Sequence, residues 1–374
     1  MDIAQLREHI DRVDAELLLL LERRLKLALQ IAALKREQGL PAYDAEREAA
    51  MLQAGRERAA GELAPAEAAE FLHGVLEQSR RWVARRAAGD GVKPLRIAII
   101  GLGLIGGSLA RALKRATPAH QLRGVDLAER LAEPGRSGLF ESLHSPEDGA
   151  AALDHADVVF LCTQLSKTVE LLPRVAEDAP TSALVTDVCG VKRSVTAAAE
   201  RAFTGPSEAY FVGGHPMAGG ALGGFQHARA DLFEGRPWVL TPTPHDPPER
   251  LQSLCRLIES TGARINLLSP DEHDQAMAVV SHLPQLVSTA LMLAVAGRDQ
   301  GLAGPGLIDM TRLAASPAAL WNELVREMRP ELIGELQRMQ SYLTELEIAI
   351  NFNEPLDRWF ARANALRERL EGRA

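Results

Sequence analysis

Three groups of residues in this chain have types and spacings suited to chemistry. The first is Gly101-x-Gly103-x-x-Gly106, set directly after the apolar run Ile97–Ile100. Glycines at this spacing let the backbone turn tightly and bring its N–H groups close to a pyrophosphate at the start of the next helix; Leu102, Leu104 and Ile105 fill the positions between. Asp126 follows 25 residues after Gly101, at the end of the next apolar run. Its carboxylate can accept hydrogen bonds from an adenine ribose and would repel an extra phosphate there, which favours NAD over NADP. The second group is His215, in Gly213-Gly-His-Pro-Met-Ala-Gly219. The proline holds it in extended backbone, and the glycines leave its ring uncovered in a loop just beyond a strand. A neutral imidazole there can take the proton of a hydroxyl whose carbon gives up hydride, although such a histidine also has a purely structural reading. The third group lies near the N-terminus. Arg24 and Lys35 are 11 residues apart, which is about 20° around a helix and about 16 Å along it, so both face one side. Arg7 lies about 100° away from Arg24. Asp44, Arg47 and Glu48 share a face of a second helix, and Ser79 lies on a third.

The elements that must position these groups follow from periodicity. Between Asp2 and Gln38 there is no Gly or Pro, and Ile3, Leu6, Ile10, Val13, Leu17, Leu20 and Leu21 form one apolar stripe. A helix of that length reaches about 55 Å, more than a small domain's diameter, which predicts a dimer of intertwined helices. A second helix is expected from Asp44 to Ala60, a third from Pro65 to Arg86, and a linker over Arg85–Lys93. Residues 95–268 alternate short apolar runs with helical patterns, the signature of a parallel sheet. The expected strands are Arg96–Ile100, Gln121–Asp126, Val158–Cys162, Ala183–Thr186, Phe211–Gly213 and Trp238–Thr241. From Asp271 onward only helical patterns remain. The expected architecture is an all-α domain over 1–89, an α/β Rossmann domain over 94–268 and an all-α substrate and dimerisation domain over 269–374.

Composition narrows the class. The 374 residues are 46% apolar and 25% charged, with a net charge of −8, ordinary for a globular protein and wrong for a nucleic-acid binder. The first 89 residues carry 14 basic and 15 acidic side chains, so they are no basic arm. Cys162, Cys189 and Cys255 are odd in number and widely spaced, with no metal or disulfide pattern, which suggests reduced thiols. The N-terminus does not read as a signal peptide, and no run of about 20 apolar residues predicts a membrane span. The expected location is the cytoplasm.

The motifs taken together are more specific than any one. His215-Pro-Met-Ala-Gly, Thr241-Pro-Thr, Ser269-Pro-x-x-His273-Asp274, Val280-Ser-His282-Leu-Pro284 and Asp309-Met-Thr-Arg312-Leu-Ala occur in this order. In combination residues 95–350 resemble the prephenate dehydrogenase family. That resemblance implies that His215 polarises the ring hydroxyl of prephenate, that Arg312 binds a substrate carboxylate, and that His273 and His282 lie near the pocket. Arg312 also reads as a solvated charge, and His273 as a helix cap. The chain departs from the family at Gly190, where many relatives carry Ser, at Gly220 and Ala221, where a polar pair including Glu is common, and at Gln285, often basic. These departures bear on the substrate's side chain, pyruvyl in prephenate or alanyl in arogenate. A hydroxyacid dehydrogenase of another family would need a Lys in the helical domain, and none occurs after Lys192.

Residues 3–80, through Leu6-Arg7-Glu8, Glu22-Arg23-Arg24 and Asp44-x-x-Arg47-Glu48, resemble the all-helical chorismate mutases, dimers whose pockets combine cations from both chains. The resemblance implies that Arg24, Lys35 and Arg47 hold the two carboxylates of chorismate, with Arg7 arriving from the partner. Lys35, with a protonated Glu48, would face the ether oxygen that gains charge as its bond breaks. Four residues after Ser79, where relatives carry Gln or Glu, this chain has Val83. Two readings of the N-terminal module remain: a mutase, whose product feeds the dehydrogenase, or a salt-bridged helical arm that dimerises or regulates a monofunctional dehydrogenase.

Overall fold

Unbroken helical periodicity produces α1 (Ile3–Glu37), followed by α2 (Ala45–Arg58) and α3 (Pro65–Gly89). The computed structural model describes residues 3–38, 45–59, 63–89, 94–132, 135–136, 138–204, 209–220, 222–243, 247–297, 300–316 and 318–371. Helix α3 packs on both α1 and α2. It runs past the expected linker start at Arg85, because Arg80–Ala88 offers good helix formers and no breaker before Gly89. Leu25, Ala68, Ala69 and Leu76 are buried here, whereas Ile10, Val13, Leu17–Leu20, Ile31 and Leu34 are exposed.

The α/β region runs β1 (Arg96–Ile100), α4 (Leu104–Ala116), β2 (Gln121–Val125), α5 (Ala128–Leu131), β3 (Ser142–His144), α6 (Gly149–Leu153) and β4 (Val158–Leu161). It continues with α7 (Leu165–Asp178), β5 (Leu184–Asp187), α8 (Arg193–Ala202), β6 (Tyr210–Pro216), β7 (Pro237–Thr241), α9 (Pro248–Glu259) and β8 (Arg264–Leu267). These strands form one sheet in the order β3-β2-β1-β4-β5-β6-β7-β8. Alternate residues of the central strands enter opposite cores: Ile97, Ile99 and Phe160 on one face, Ala98, Ile100, Val159 and Leu161 on the other. The chain turns from β1 outward to β2 and then back to β4, which opens a crevice at the carboxyl end of β1.

Two expectations change. The sheet is not wholly parallel, since β6 and β7 pair antiparallel; among the described residues of the 217–236 connection there is a 3₁₀ turn, Phe225–His227, and no crossover helix of the kind a parallel neighbour requires. Strands β3 and β8 were not legible: both are edge strands of three or four residues, too short for periodicity to register.

The chain divides into two compact units, residues 1–189 with 196–268, and residues 190–195 with 269–374. The second contains α10 (Pro270–Met277), a π-helical turn (Ala278–His282), α11 (Leu283–Ala294), α12 (Pro305–Thr311), a 3₁₀ turn (Arg312–Ala315), α13 (Ala318–Glu327), α14 (Arg329–Asn351) and α15 (Asp357–Glu371). Ser269 and Glu272 form a capping box at the start of α10, with Pro270 in its first turn. The stretch Pro270–Ala294 is long and apolar enough to cross a membrane by composition. Its polar residues His273, Asp274, His282, Gln285 and Ser288 are, however, buried in protein.

Candidate functional site

The turn after β1 is built for close approach. Gly101 has φ +94°, open to glycine at no steric cost, and its N–H donates to Val125 O at 2.8 Å. A Cβ on Gly106 would lie 2.0 Å from Gly101 O, while one on Gly103 would meet nothing within 4 Å. The turn is therefore packed beneath and open above. Helix α4 starts at Leu104, inside the glycine motif, so the first-turn N–H groups of Leu104, Ile105 and Gly106 have no intrahelical acceptor. Leu102 differs from the other positions of the motif. Its side chain is wholly buried and its N–H donates to Asp126 Oδ2 at 3.3 Å, so it supports the turn from below and offers no donor to a phosphate.

Asp126 follows β2 at the carboxyl edge. Its Oδ1 accepts from Leu127 N at 2.9 Å, and its Oδ2 from Arg136 at 3.2 Å. Arg136 itself is buried, with its guanidinium 4.9 Å from the Phe225 ring centroid; Arg111 lies 5.0 Å from the same ring. Sequence reasoning missed Arg136, since an arginine ten residues past a strand in a loop carries no periodic signal. An open cradle, free helix N–H groups and a fixed carboxylate at the next strand fit an adenine dinucleotide.

His215 lies inside β6, not in a loop beyond it, because pairing with β7 extends the strand through Pro216 and sets His215 opposite Val239. Its ring is half-buried. Gly214 is needed for the approach of β5: a Cβ there would lie 2.6 Å from Asp187 O, and the Gly214 N–H donates to the Asp187 carboxylate at 2.9 Å. Neither Cys162 nor Cys255 offers a nucleophile. Burial pushes Cys162 far up and Cys255 up to about 11.

In the second unit, His273 is fully buried and its Nδ1 lies 2.7 Å from Asp274 Oδ1. Ser269 caps α10, so His273 does not. The Asp274 carboxylate also accepts from Lys192 N at 2.8 Å and Arg193 N at 3.0 Å. Burial opposes its charge, but these donors outweigh burial and hold it below the usual carboxylate range. Asp274 was visible in the His-Asp motif without any assigned role. His282 is buried edge-on against Trp321, 5.6 Å between centroids. Burial, assisted by His273 and opposed by Asp274, brings it down to about 4, so it is neutral near pH 7. Arg312 opens the 3₁₀ turn, exposed and without an ion pair among the described residues.

In the helical module, half-buried Arg24 donates to Ser79 Oγ, joining α1 to α3, and the Ser79 hydroxyl donates in turn to Val75 O at 2.7 Å. Glu48 Oε2 accepts from Arg80 at 3.0 Å, so that oxygen is not free to share a proton with an ether oxygen. Arg80, next to Ser79, was missed. Lys35 is half-buried and Arg47 exposed. Arg7 is exposed and 17 residues from Arg24, about 25 Å along the helix, beyond reach of the same pocket. Val83 is half-buried. Asp44 lies outside the described residues.

The doubly wound sheet, the glycine turn and Asp126 define a dinucleotide-dependent oxidoreductase that carries an additional helical module. Residues 109–267 match the prephenate dehydrogenase nucleotide-binding domain, residues 269–368 the prephenate dehydrogenase dimerization domain, and residues 6–82 chorismate mutase type II. Synechocystis arogenate dehydrogenase is 33% identical, covering 73% of this chain and 99% of that one, with a TM-score of 0.63. Prephenate dehydrogenase from A. aeolicus, in complex with hydroxyphenyl propionate and NAD+, is 25% identical over 74% and 99% of the two chains, with a TM-score of 0.68. The T-protein of Haemophilus influenzae is 30% identical over 290 residues, 75% of this chain and 67% of that protein. The chain belongs to the prephenate dehydrogenase family and is a bifunctional enzyme of tyrosine biosynthesis, a chorismate mutase fused to an NAD-dependent dehydrogenase.

Proposed function

We propose that residues 1–89, 94–268 and 269–374 act as three domains that carry chorismate through prephenate to 4-hydroxyphenylpyruvate. In the first, Arg24, Lys35 and Arg47 hold the two carboxylates of chorismate, Asp44 and Ser79 complete the pocket, and Arg7 comes from a second copy. One C–O bond breaks as one C–C bond forms, so no proton moves. Lys35 meets the charge growing on the ether oxygen, together with Glu48 in its protonated form. The Arg24–Ser79 hydrogen bond supports this reading, because it fixes a cation between two helices.

In the second reaction Arg312 holds a carboxylate of prephenate, while neutral His282 and the His273–Asp274 pair shape the surrounding protein. Gly101, Gly103, Leu104, Ile105 and Gly106 would cradle the pyrophosphate of NAD, Leu102 would brace that turn, and Asp126 would take the ribose. Bound NAD supplies the hydride acceptor. The ring O–H gives its proton to His215 as the C–H electron pair leaves as hydride. The ring carboxylate departs as CO₂, its bond electrons complete the aromatic ring, and the phenolate oxygen recovers a proton.

The enzyme works as a homodimer in the cytoplasm. The dimerisation domain and the exposed leucines of α1 support the first statement, and the reduced thiols and composition support the second. The observation that carries the whole is one chain matching a chorismate mutase and both parts of a prephenate dehydrogenase, so that the first product is the second substrate. His215→Asn is expected to lower dehydrogenase kcat by about 10²–10³-fold, with NAD affinity and mutase rate unchanged. Normal turnover would remove His215 from the reaction. Arogenate is the second reading, favoured by the likeness to an arogenate dehydrogenase; comparing kcat/KM for the two substrates decides it.

A further inference from the structure

Gln285 stands three residues after His282 on α11, and it is buried. Its Nε2 donates to Leu313 O at 2.6 Å and lies 3.4 Å from Thr289 Oγ1; its Oε1 accepts from Ser316 Oγ at 3.0 Å. Leu313 O also accepts the Ser316 N–H at 3.0 Å, the bond that closes the 3₁₀ turn Arg312–Ala315. Both ends of one side-chain amide are thus committed to a single short turn, reached across 28 and 31 residues of sequence. A 3₁₀ turn of this length has few bonds of its own and poorer hydrogen-bond geometry than an α-helix. The glutamine supplies what it lacks: a planar group that donates to the turn's carbonyl while accepting from its terminal hydroxyl.

Arg312 is the first residue of that turn, and its exposed side chain has no ion pair among the described residues. We propose that Gln285 is a positioning residue for Arg312: it fixes the backbone from which the guanidinium reaches a substrate carboxylate, and it does not itself touch the substrate. This rests on the carboxylate-binding role proposed for Arg312. It also recasts the departure at position 285. With both polar atoms spent on the turn, Gln285 offers nothing to the side chain that distinguishes prephenate from arogenate, so its replacement alters affinity for both in parallel.

The test is steady-state kinetics of the full chain for Gln285→Ala, Ser316→Ala, Arg312→Ala and the double variant Gln285→Ala/Arg312→Ala. Mutase rate and NAD affinity serve as controls for folding. Gln285→Ala is expected to raise the prephenate KM about 10-fold and Ser316→Ala about 3-fold, with kcat within about 2-fold of the parent. In the Arg312→Ala background, Gln285→Ala should add no further rise. An undiminished rise in that background overturns the proposal, as does a change of more than about 3-fold in the prephenate-to-arogenate ratio of kcat/KM. If Arg312→Ala alone leaves KM unchanged, the reading of Arg312 fails, and the positioning role with it. Should Gln285→Ala not fold, Ser316→Ala removes one half of the same clamp and carries the same double-variant comparison.

Discussion

The helical module and the α/β region hold polar groups in place by different means. In the α/β region the sheet is covered on both faces, and the glycines near the proposed site are locked: a Cβ at Gly101, Gly106 or Gly214 would fall within 2.6 Å of a backbone oxygen. Among the described residues of the helical module the buried apolar side chains are few, Leu18, Leu19 and Leu20 are 68%, 67% and 61% exposed, and charged residues join the helices through contacts such as Arg24–Ser79 and Glu48–Arg80. Burying each such leucine is worth roughly 1.5–3 kcal/mol, so the module has much to gain from a second surface. The nucleotide site as proposed draws on one chain, whereas the mutase site as proposed draws on two.

Substitutions can break or sharpen this contrast. Arg24→Ala removes a cation fixed by Ser79 and is expected to lower mutase kcat/KM by about 10³-fold, while prephenate oxidation continues at its normal rate. A parallel fall in both activities would show that the two regions are not independent. Gly106→Ala drives a methyl group into Gly101 O and should weaken NAD binding by about 10²-fold with the mutase intact, measured by fluorescence titration. Loss of mutase activity in that variant would argue against separate sites.

The third prediction concerns acid. His282 is held near 4 in the folded protein by burial, against about 6.5 unfolded. Above about pH 6.5 it is neutral in both states and contributes nothing. As the pH falls from about 6.5 to 4 the unfolded chain takes up a proton that the folded chain refuses, so stability drops progressively, by up to about 3 kcal/mol. His282→Gln should flatten that slope in calorimetric melts, and an unchanged slope would place the acid sensitivity elsewhere. The smallest effect is expected at Val83. Val83→Gln supplies the amide that the resemblance to chorismate mutases implies at this position and should raise mutase kcat several-fold, up to about 10-fold; no change would mean that Lys35 and its neighbours already satisfy the ether oxygen.

Legibility in the sequence follows the same division. Six of the eight strands were readable in their order because apolar runs and glycine turns are local signals. The cations of α1 could be placed on one face because a helix converts spacing into direction. What escaped depends on contacts between distant segments. Arg136 meets Asp126 through a loop, Arg80 meets Glu48 across two helices, and Asp274 binds the amides of Lys192 and Arg193 about 80 residues away. The antiparallel β7 escaped because periodicity gives a strand no direction, and His215 was set in a loop because glycine on both sides conceals a strand end.

Two working sites in sequence on one chain is the central claim, and NADH formation tests it most directly. Purified protein is given NAD with chorismate, and in parallel NAD with prephenate, with an enzyme-free control for spontaneous rearrangement. NADH should form from both substrates, from chorismate after a lag in which prephenate accumulates. NADH from prephenate alone would contradict the claim and reduce residues 1–89 to a dimerising or regulatory arm.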